Sequence, residues 1–510
     1  MADNLTSSPQ HEPAASDTLI AIRNALKLGA SLTATWGIAL GVRLMLPRYL
    51  GPAAFGSLQF SEAFATMWFV AISLGVDTYI RKEVPLRPAH ATDFFGGLML
   101  IRIALSVALL AAMYVTLSYT HRTAEVQRLV FLFGLSQLFV NVNNTYASLL
   151  HAVGRVDGLA ILNVISKLLW GVGIPLGFYF NAGLAGVAIS LTFSEALKTV
   201  FLANLSRRHV QLRVGRDFTH AKAVIIASIP FYLNYLAHTV YAKVDVSMLS
   251  FMQSDTEVGW YSASSNLAGL ALLLTPIIGW VLLPMSSRAS MRSEDEMTLL
   301  MRRAIELILI IAIPTSLILG LGADVWVHLA FGDKFAPAVG SLRILAPMFV
   351  LTYVAMVTAT LLVGLGRGWT VTAISLGGLA VNPILNYILV PILARRFGPG
   401  GGGMGAATAL IITETLVTGT MQILVGRRAF DRRSLTMLAK TAVVCAVVVS
   451  VDRLAYGFAS NHGGQSLQIG RVAVDCVLYV GLAVAFGVVD IREFRSMVSQ
   501  ALAERGKHVS

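Results

Sequence analysis

One apolar segment, Gly183-Leu-Ala-Gly-Val-Ala-Ile-Ser-Leu-Thr-Phe-Ser-Glu195, returns later in the chain as Gly402-Gly-Met-Gly-Ala-Ala-Thr-Ala-Leu-Ile-Ile-Thr-Glu414. Both copies read Gly-x-x-Gly-x-Ala, then Leu, then Ser or Thr followed by Glu. Each copy opens a long apolar run, and a bilayer crossing needs about 20 mostly apolar residues. Each copy is therefore predicted to begin a membrane-spanning helix, and the chain is predicted to contain an internal repeat.

Apolar runs of this length occur along the whole chain. Of its 510 residues, 56% are hydrophobic and 13% are charged, against roughly 25% charged in ordinary soluble domains, which excludes a set of soluble domains. Backbone polar groups in lipid must be satisfied within the segment, so the runs are predicted to be helices. The fourteen predicted spans are 26–46, 57–76, 96–118, 128–150, 159–180, 183–204, 223–251, 258–283, 303–322, 342–365, 370–394, 403–425, 436–456 and 468–489.

The distribution of Lys and Arg predicts the orientation in the membrane. Of the 39 Lys and Arg, 25 lie on the side shared by both termini and 10 on the opposite side. Cytoplasmic loops carry the excess of positive charge, so both termini are predicted to be cytoplasmic. The net charge of +12 therefore belongs to membrane loops and does not indicate nucleic acid.

Two further pairs of motifs extend the repeat. Leu149–Arg155 and Leu361–Arg367 both read Leu-Leu followed by Gly-Arg, and Phe55-Gly56 is echoed by Val258-Gly259. The offsets between copies are 203, 212 and 219 residues, rising along the chain as loop insertions would require. Spans 1–6 and 7–12 are thus predicted to be parallel copies about an axis along the membrane normal, with a cavity between them.

This organisation divides the chain into six segments. They are a disordered cytoplasmic tail 1–18, an N-lobe 19–204 with spans 1–6, a basic cytoplasmic inter-lobe loop 205–222, a C-lobe 223–428 with spans 7–12, spans 13 and 14 within 429–489, and an amphipathic cytoplasmic tail 490–510.

Several motifs, in their order along the chain, resemble those of polysaccharide flippases of the Wzx type. Leu46-Pro47-Arg48-Tyr49-Leu50-Gly51-Pro52 with Phe55-Gly56 resembles their first periplasmic loop, and Leu74–Glu83 resembles the end of their second span. Asp245 followed by Val258–Ala263 resembles their hairpin between spans seven and eight. Asn382–Asn386 with Gly402–Glu414 is similar to their spans eleven and twelve. The chain therefore resembles the multidrug/oligosaccharidyl-lipid/polysaccharide exporter superfamily.

The resemblance implies a fold and an activity. The fold is an all-α polytopic membrane protein with about fourteen transmembrane helices, in which two six-helix bundles surround a central cavity, as in MATE transporters, and two C-terminal helices follow. The activity is a flippase that moves undecaprenyl-pyrophosphate-linked oligosaccharide to the periplasmic leaflet by ion-coupled alternating access, for O-antigen, capsule or exopolysaccharide synthesis.

The location and partners follow from the same resemblance. They are the bacterial inner membrane, the lipid-linked oligosaccharide, and the polysaccharide polymerase and chain-length machinery, with no nucleic acid. No cofactor is implied beyond Na⁺ or a proton as the coupling ion, and whether a metal ion is bound stays open.

Cations inside or at the ends of the N-lobe spans are candidates for binding an anionic head group. An ionisable residue at the centre of a span costs about 3 kcal/mol on insertion scales, so it normally faces the bundle interior or water. The guanidinium fork can bind two phosphate oxygens at once. The predicted cationic cavity comprises Arg43, Arg81, Lys82, Arg102, Lys167 and Lys198.

Each of these cations also has an alternative role that the sequence leaves open. Arg43 lies near a helix end and could extend its charge to the interface, and Arg102, six residues into its span, could do so less easily. Arg81 and Lys82 could serve only as orientation signals. Both Lys167 and Lys198 could pair with Glu195 in a structural cluster.

Polar residues of the C-lobe form a second candidate site, for the coupling ion. Asn382 and Asn386 are four residues apart and share a helix face. With Asp245, Thr413 and Glu414 they would supply carboxylate, amide and hydroxyl oxygens for Na⁺ or a proton. Lipid II flippases resemble this arrangement in holding a cation with the corresponding spans. The alternative is hydrogen bonding between helices by Asn and Thr.

Two other functions fit the composition less well. A MATE-type exporter of organic cations needs an acidic or aromatic cavity, which the basic residues of the N-lobe disfavour. A polysaccharide polymerase or ligase resembles chains with a large periplasmic loop. The longest candidate loop here, 323–341, is short and carries no catalytic grouping, so we expect a transporter and not an enzyme.

Overall fold

A computed structural model describes residues 35–85, 87, 90–120, 122–209, 218–270, 292–426, 432–462 and 465–487. Throughout these ranges the ordered elements are helices and no strand occurs. The predicted all-α fold class is confirmed.

Within the described ranges, seventeen α-helices are numbered here in chain order, and one 3₁₀ turn, Asp333–Phe335, follows the eleventh. The first nine are α1 (35–50), α2 (Pro52–Ser73), α3 (Val76–Glu83), α4 (His90–Tyr119), α5 (Ala124–Ala152), α6 (Val156–Tyr179), α7 (Gly183–His209), α8 (Phe218–Met252) and α9 (Asp255–Leu270). The others are α10 (Glu294–Leu321), α11 (Ala323–Phe331), α12 (Ala338–Leu345), α13 (Met348–Gly364), α14 (Gly368–Phe397), α15 (Gly401–Val425), α16 (Arg432–His462) and α17 (Gln465–Ala485).

Eight segments of the described chain are long and apolar enough to cross a membrane, or up to ten if two bent helix pairs each count as one span. The eight coincide with predicted spans 3, 5, 6, 9, 10, 11, 12 and 14, and the bent pairs with spans 2 and 7. The exact count of fourteen is not confirmed. Predicted spans 26–46 and 258–283 run into residues outside the described ranges. Helix α5, which corresponds to predicted span 128–150, is not among these segments, because Asn141, Asn143 and Asn144 lower its mean hydropathy.

The chain divides into two compact units. The first comprises Met1–Arg43 with Phe64–Leu236, and the second comprises Leu44–Ala63 with Ala237–Ser510. They differ from the lobes expected from the repeat, because 44–63 belongs to the second unit and the beginning of α8 belongs to the first. The second unit also includes the predicted spans 13 and 14. The predicted lobe boundaries stay a prediction.

Motifs paired by the repeat have the same local geometry. Helices α5 and α13 both end in a left-handed glycine, Gly154 (φ 70°) and Gly366 (φ 76°). After each glycine, an arginine N–H bonds back to the second leucine of the motif, at 2.9 Å to the Leu150 carbonyl in one copy and 2.8 Å to that of Leu362 in the other. This is the Schellman ending, in which a residue without a Cβ turns the chain out of the helix.

Glycines of the opening motif also have equivalent packing. A Cβ on Gly186 of α7 would lie 3.0 Å from Gly177 Cα of α6, and a Cβ on Gly405 of α15 would lie 2.6 Å from Val390 Cα of α14. In both units the second glycine of Gly-x-x-Gly lets a helix pack directly on the backbone of the preceding one. Small residues permit such close approach in membrane helices.

The third pair of motifs meets within the second unit. The start of α2 crosses α9, and a Cβ on Gly56 would lie 2.8 Å from Gly259 N. A Cβ on Gly259 would in turn overlap the Pro52 carbonyl. Ser57 donates to Asp255 Oδ2 at 2.8 Å beside this crossing. The two helix starts are therefore held together by backbone contact that only glycine permits.

The first unit is organised around a break in its second predicted span. Helices α2 and α3 are bent by 45° at Leu74 and Gly75, both with left-handed backbone (φ 49° and 69°). A Cβ on Gly75 would lie 2.5 Å from the Ser228 carbonyl of α8, so this position requires glycine. Val76, Ile80 and Phe94 pack below the break in an apolar cluster that fixes α3.

Helices α16 and α17 are joined to the rest of the second unit by a buried arginine. Arg471 of α17 donates to Asp452 of α16, and at 2.9 Å to Asp324 of α11. Its guanidinium also donates to the Leu321 carbonyl at the end of α10, at 3.2 Å. A buried ion pair holds its partners in one register because losing either charge would leave the other uncompensated.

Candidate functional site

Arg102 of α4 is the most deeply buried of the predicted binding cations, with 1% of its surface exposed. Its guanidinium donates to the Ser73 carbonyl, the last of α2, and to the Thr145 hydroxyl. It also pairs with Asp77 of α3 at 3.3 Å. A helix end leaves carbonyls without a partner and carries partial negative charge, which an arginine satisfies. Arg102 thus links the two halves of the broken span to α5.

The hydrogen-bond partners of Arg102 indicate which role its side chain has. Two protein carbonyls, those of Ser73 and Asn141, together with Thr145 and Asp77, occupy its terminal nitrogens. This arrangement supports a positioning role for Arg102, and direct contact with substrate stays a prediction.

Glu195 of α7 gathers two more of the predicted cations. Its carboxylate lies 3.9 Å from Lys167 Nζ of α6 and 3.8 Å from Lys198 Nζ. Asn143 Nδ2 of α5 donates to the same carboxylate at 2.9 Å. Lys167 also lies 5.1 Å from the ring centre of Trp170. The structure therefore shows the pairing with Glu195 that the sequence left open, with one positive charge in excess.

The remaining three cations lie at the surface. Arg43 in α1 is exposed, and the side chain of Lys82 is 66% exposed and 3.7 Å from Glu83. Arg81 donates from Nε to the Asp77 carbonyl at 3.2 Å and lines a cavity of 260 Å³ beside the break. The six predicted cations thus belong to different local networks, and their common role in substrate binding stays a prediction.

The predicted coupling site of the second unit is built from three helices. Asp245 of α8 is buried, and its carboxylate accepts from Asn386 Nδ2 of α14 at 2.7 Å and from the Tyr261 hydroxyl of α9 at 3.2 Å. Asn386 Nδ2 also donates to Asn382 Oδ1 at 3.0 Å. Three of the five predicted residues are therefore in direct contact.

The other two residues lie on α15, which packs on α14. The Thr413 hydroxyl donates to the Ala409 carbonyl of its own helix at 2.8 Å. Glu414 is 9% exposed and lies within electrostatic range of Asp245. Both side chains are buried, and their direct contact with a coupling ion stays a prediction.

The donor set of this cluster fits a hard cation. Asp245 supplies a carboxylate and Asn382 an amide oxygen. Buried Asn386 Oδ1 has no hydrogen-bond partner within the part of the chain that the structure describes. Oxygen ligands of these kinds suit Na⁺, and an unpartnered buried oxygen is costly unless a ligand satisfies it. Within the described residues, no group of three His, Cys, Asp or Glu could hold a metal ion, so amide oxygens would have to complete any such site.

Two residues of α9 were missed as site residues by the sequence reasoning. The Tyr261 hydroxyl donates to Asp245, and buried Glu257 accepts from the Gly400 and Gly403 amides at the start of α15, at 2.5 and 3.2 Å. An acidic residue at a helix start is favourable, but nothing in the spacing pairs Glu257 with a helix that begins more than a hundred residues later. The available signal is the glycine run at 400–403, because glycines permit close approach to the backbone.

A large apolar cavity lies elsewhere in the second unit. It measures 1080 Å³ and is lined mostly by apolar residues of α1, α9, α10 and α11. Its polar members are Arg48, Tyr49, Thr315 and Trp326. An apolar space with a cation and amphipathic aromatic rings suits a lipid chain whose polar end lies nearby.

A protein-family model matches the sequence of this chain. The family model described as polysaccharide biosynthesis protein matches residues 21–290, more than half of the chain. The chain belongs to this family. A search of curated proteins by sequence finds no match.

Solved structures show which fold this polysaccharide biosynthesis protein has. It is similar to the lipid II flippase MurJ in an inward closed conformation, with a TM-score of 0.69 at 12% identity over 94% of this chain and 100% of that one. It is also similar to an inward-facing multidrug resistance MATE transporter of the MOP superfamily, with a TM-score of 0.62 at 16% identity over 77% of this chain and 94% of that one. A third neighbour is a point mutant of the Vibrio cholerae MATE transporter VcmN, with a TM-score of 0.53 at 16% identity over 79% of this chain and 98% of that one. The protein is a multi-pass membrane protein with the MOP-superfamily fold.

Proposed function

We propose that the protein is a flippase that moves undecaprenyl-pyrophosphate-linked oligosaccharide from the cytoplasmic to the periplasmic leaflet of the bacterial inner membrane. The observation that carries this proposal is the match to the polysaccharide biosynthesis family together with a fold that follows a lipid II flippase over 94% of the chain. We further propose that transport follows alternating access and that both termini of the chain are cytoplasmic. The flippase would act together with the polysaccharide polymerase and chain-length machinery.

Two features of the structure, one in each unit, fit a lipid-linked substrate. The 1080 Å³ apolar cavity of the second unit offers a surface on which a polyprenyl chain can lie. In the first unit, Lys167 and Lys198 outnumber Glu195 and leave an excess positive charge near the membrane interior. Excess cations attract an anionic head group, because water screens charges poorly there.

Ion coupling is assigned to the Asp245 cluster. Its carboxylate and amide oxygens can hold Na⁺, or Asp245 can take up a proton instead. A bound cation would compensate the buried negative charge and change how α8, α9 and α14 pack at this point. Since ligands shift a conformational equilibrium only by their differential affinity for its states, the proposal requires cation affinity to differ between the two states of the transport cycle.

The experiment is a complementation assay in a bacterium whose own polysaccharide flippase gene is deleted. Expression of this chain with its cognate glycan genes is expected to restore surface polymer and to remove lipid-linked units that accumulate on the cytoplasmic leaflet. Increased resistance to organic cations such as ethidium, without restored surface polymer, would favour a MATE-type exporter and contradict the proposal.

A further inference from the structure

A polar cavity of 260 Å³ lies in the first unit where α2 breaks into α3. Its walls come from the break itself, from the last turns of α5, and from α8. The lining residues that matter here are Ser73, Thr78, Arg81, Ser148, His151 and Tyr235. Hydroxyl groups, an imidazole and a guanidinium therefore converge on one space within a single unit.

The break also supplies backbone donors. Helix α3 begins at Val76 after the left-handed Gly75. The first N–H groups of a helix lack acceptors in a preceding turn, although that of Thr78 bonds to the Gly75 carbonyl at 3.3 Å. Gly75 and Thr78 both line the cavity. The N-terminal end of a helix carries partial positive charge and binds anions through these N–H groups.

An independent observation points to a ligand at the same place. Ser73 lines the cavity, is only 4% exposed, and its hydroxyl has no hydrogen-bond partner among the described residues. A buried hydroxyl left without a partner is unfavourable, and groups of this kind are normally satisfied by protein, water or ligand. Ser148, also 4% exposed, lines the same space.

The charge at the cavity is positive. Arg81 uses Nε for the Asp77 carbonyl at 3.2 Å, and the structure records no partner among the described residues for its two terminal nitrogens. Arg81 and His151 both line the cavity. Among the described residues that line the cavity, Asp77 is the one carboxylate, and its Oδ1 already accepts from Arg102 and Thr145.

We propose that this cavity binds a phosphoryl oxyanion, and specifically the diphosphate of the lipid-linked substrate as it is taken up. The assignment of the substrate rests on the proposed function, whereas the anion site rests on the geometry alone. The volume of 260 Å³ equals that of about nine liquid waters, which suits a diphosphate. The charge distribution predicts that this end of the unit faces the cytoplasm, where the substrate is loaded.

The test is a calorimetric titration of the full-length protein in lipid nanodiscs with inorganic pyrophosphate. Arg81→Gln is expected to weaken binding about tenfold or more, because it removes a charge-assisted contact. Ser148→Ala is expected to weaken it severalfold. Arg87→Gln is the matched control, since it removes the same charge from an exposed position outside the cavity, and its affinity is expected to equal that of the wild type.

Competition then distinguishes the source of the phosphate. Geranylgeranyl diphosphate is expected to displace pyrophosphate and to bind more tightly, whereas geranylgeraniol is expected not to displace it. Failure of the lipid diphosphate to compete would assign the cavity to free phosphate and overturn the substrate assignment. Equal losses in Arg81→Gln and Arg87→Gln, or no loss in both Arg81→Gln and Ser148→Ala, would overturn the anion site.

Failure of this proposal and failure of the proposed function give different results. Leaflet transfer of lipid-linked oligosaccharide by a protein that does not bind pyrophosphate at the break would refute the cavity assignment alone. Pyrophosphate binding that depends on Arg81 and Ser148, in a protein that transfers no lipid, would support the anion site and refute the flippase.

Discussion

Replacing Arg102 with Ala separates a positioning role from a substrate-binding role. The guanidinium fills the break between α2 and α3 and satisfies the Ser73 and Asn141 carbonyls, Thr145, and the Asp77 carboxylate. In Arg102→Ala, Asp77 would lose its cation and α2 would end on carbonyls without a side-chain donor. The structure therefore predicts a loss of stability and not merely a loss of transport.

The magnitude follows from these contacts. Removing one partner of a buried ion pair costs about 3–5 kcal/mol. Asp77 keeps 16% of its side chain exposed, so water offsets part of this, and we expect about 3 kcal/mol. Adding Asp77→Asn removes the uncompensated charge and is expected to recover about 1–2 kcal/mol, a coupling typical of residues in contact.

The assay is the free energy of unfolding in mixed micelles, followed by tryptophan fluorescence, with membrane abundance measured in parallel. Lys82→Ala is the control, because its side chain is 66% exposed and its pair with Glu83 is expected to contribute less than about 1 kcal/mol. If Arg102→Ala unfolds like the wild type and reaches the membrane normally while transport is abolished, the positioning argument is refuted and Arg102 contacts substrate.

Three other changes test separate parts of the fold and site. Glu257→Gln is expected to lower the free energy of unfolding by about 2 kcal/mol, because a Gln side chain has one acceptor oxygen and Glu257 uses both of its oxygens for the backbone N–H groups of Gly400 and Gly403. Glu296→Gln, at an exposed helix start, is expected to change this free energy by less than about 1 kcal/mol. Equal effects of the two substitutions would refute the buried cap. Gly259→Ala is expected to cost about 1–3 kcal/mol by separating α9 from α2. Gly269→Ala on the same helix is the control: its Cβ would meet no described atom within 4 Å, and it is expected to be neutral or stabilising. A harmless Gly259→Ala would contradict the close crossing. Asp245→Asn is expected to abolish the dependence of transport on a Na⁺ or proton gradient, measured in vesicles, and a retained dependence would rule out this cluster as the coupling site.

Much of the architecture could be predicted from the sequence, because membrane helices need long apolar runs and repeated glycines mark repeated packing. The Gly-x-x-Gly-x-Ala motif predicted equivalent helices, and Gly186 and Gly405 do pack on preceding helices in the same way. The grouping of Asp245 with Asn382 and Asn386 followed from oxygen chemistry and helical spacing. These features depend on local patterns that the sequence carries directly.

Other features depend on which way each helix faces its neighbours. A helix that is apolar all round gives no preferred face, so the sequence did not show that Arg102 points into the α2–α3 break. The break itself needed the close approach of α8 to Gly75, a tertiary contact between distant segments. Tyr261 and Glu257 were missed for the same reason, since their partners lie on other helices, in the case of Glu257 far along the chain.

Leaflet transfer in reconstituted vesicles tests the proposed flippase most directly. The purified protein is incorporated into liposomes carrying fluorescent undecaprenyl-pyrophosphate-linked oligosaccharide, and the label accessible from outside is followed after a Na⁺ or proton gradient is imposed. We predict gradient-dependent transfer well above that of protein-free vesicles, and transfer that no longer responds to the gradient in Asp245→Asn. Transfer no faster than in protein-free vesicles, with either gradient, would contradict the proposed function.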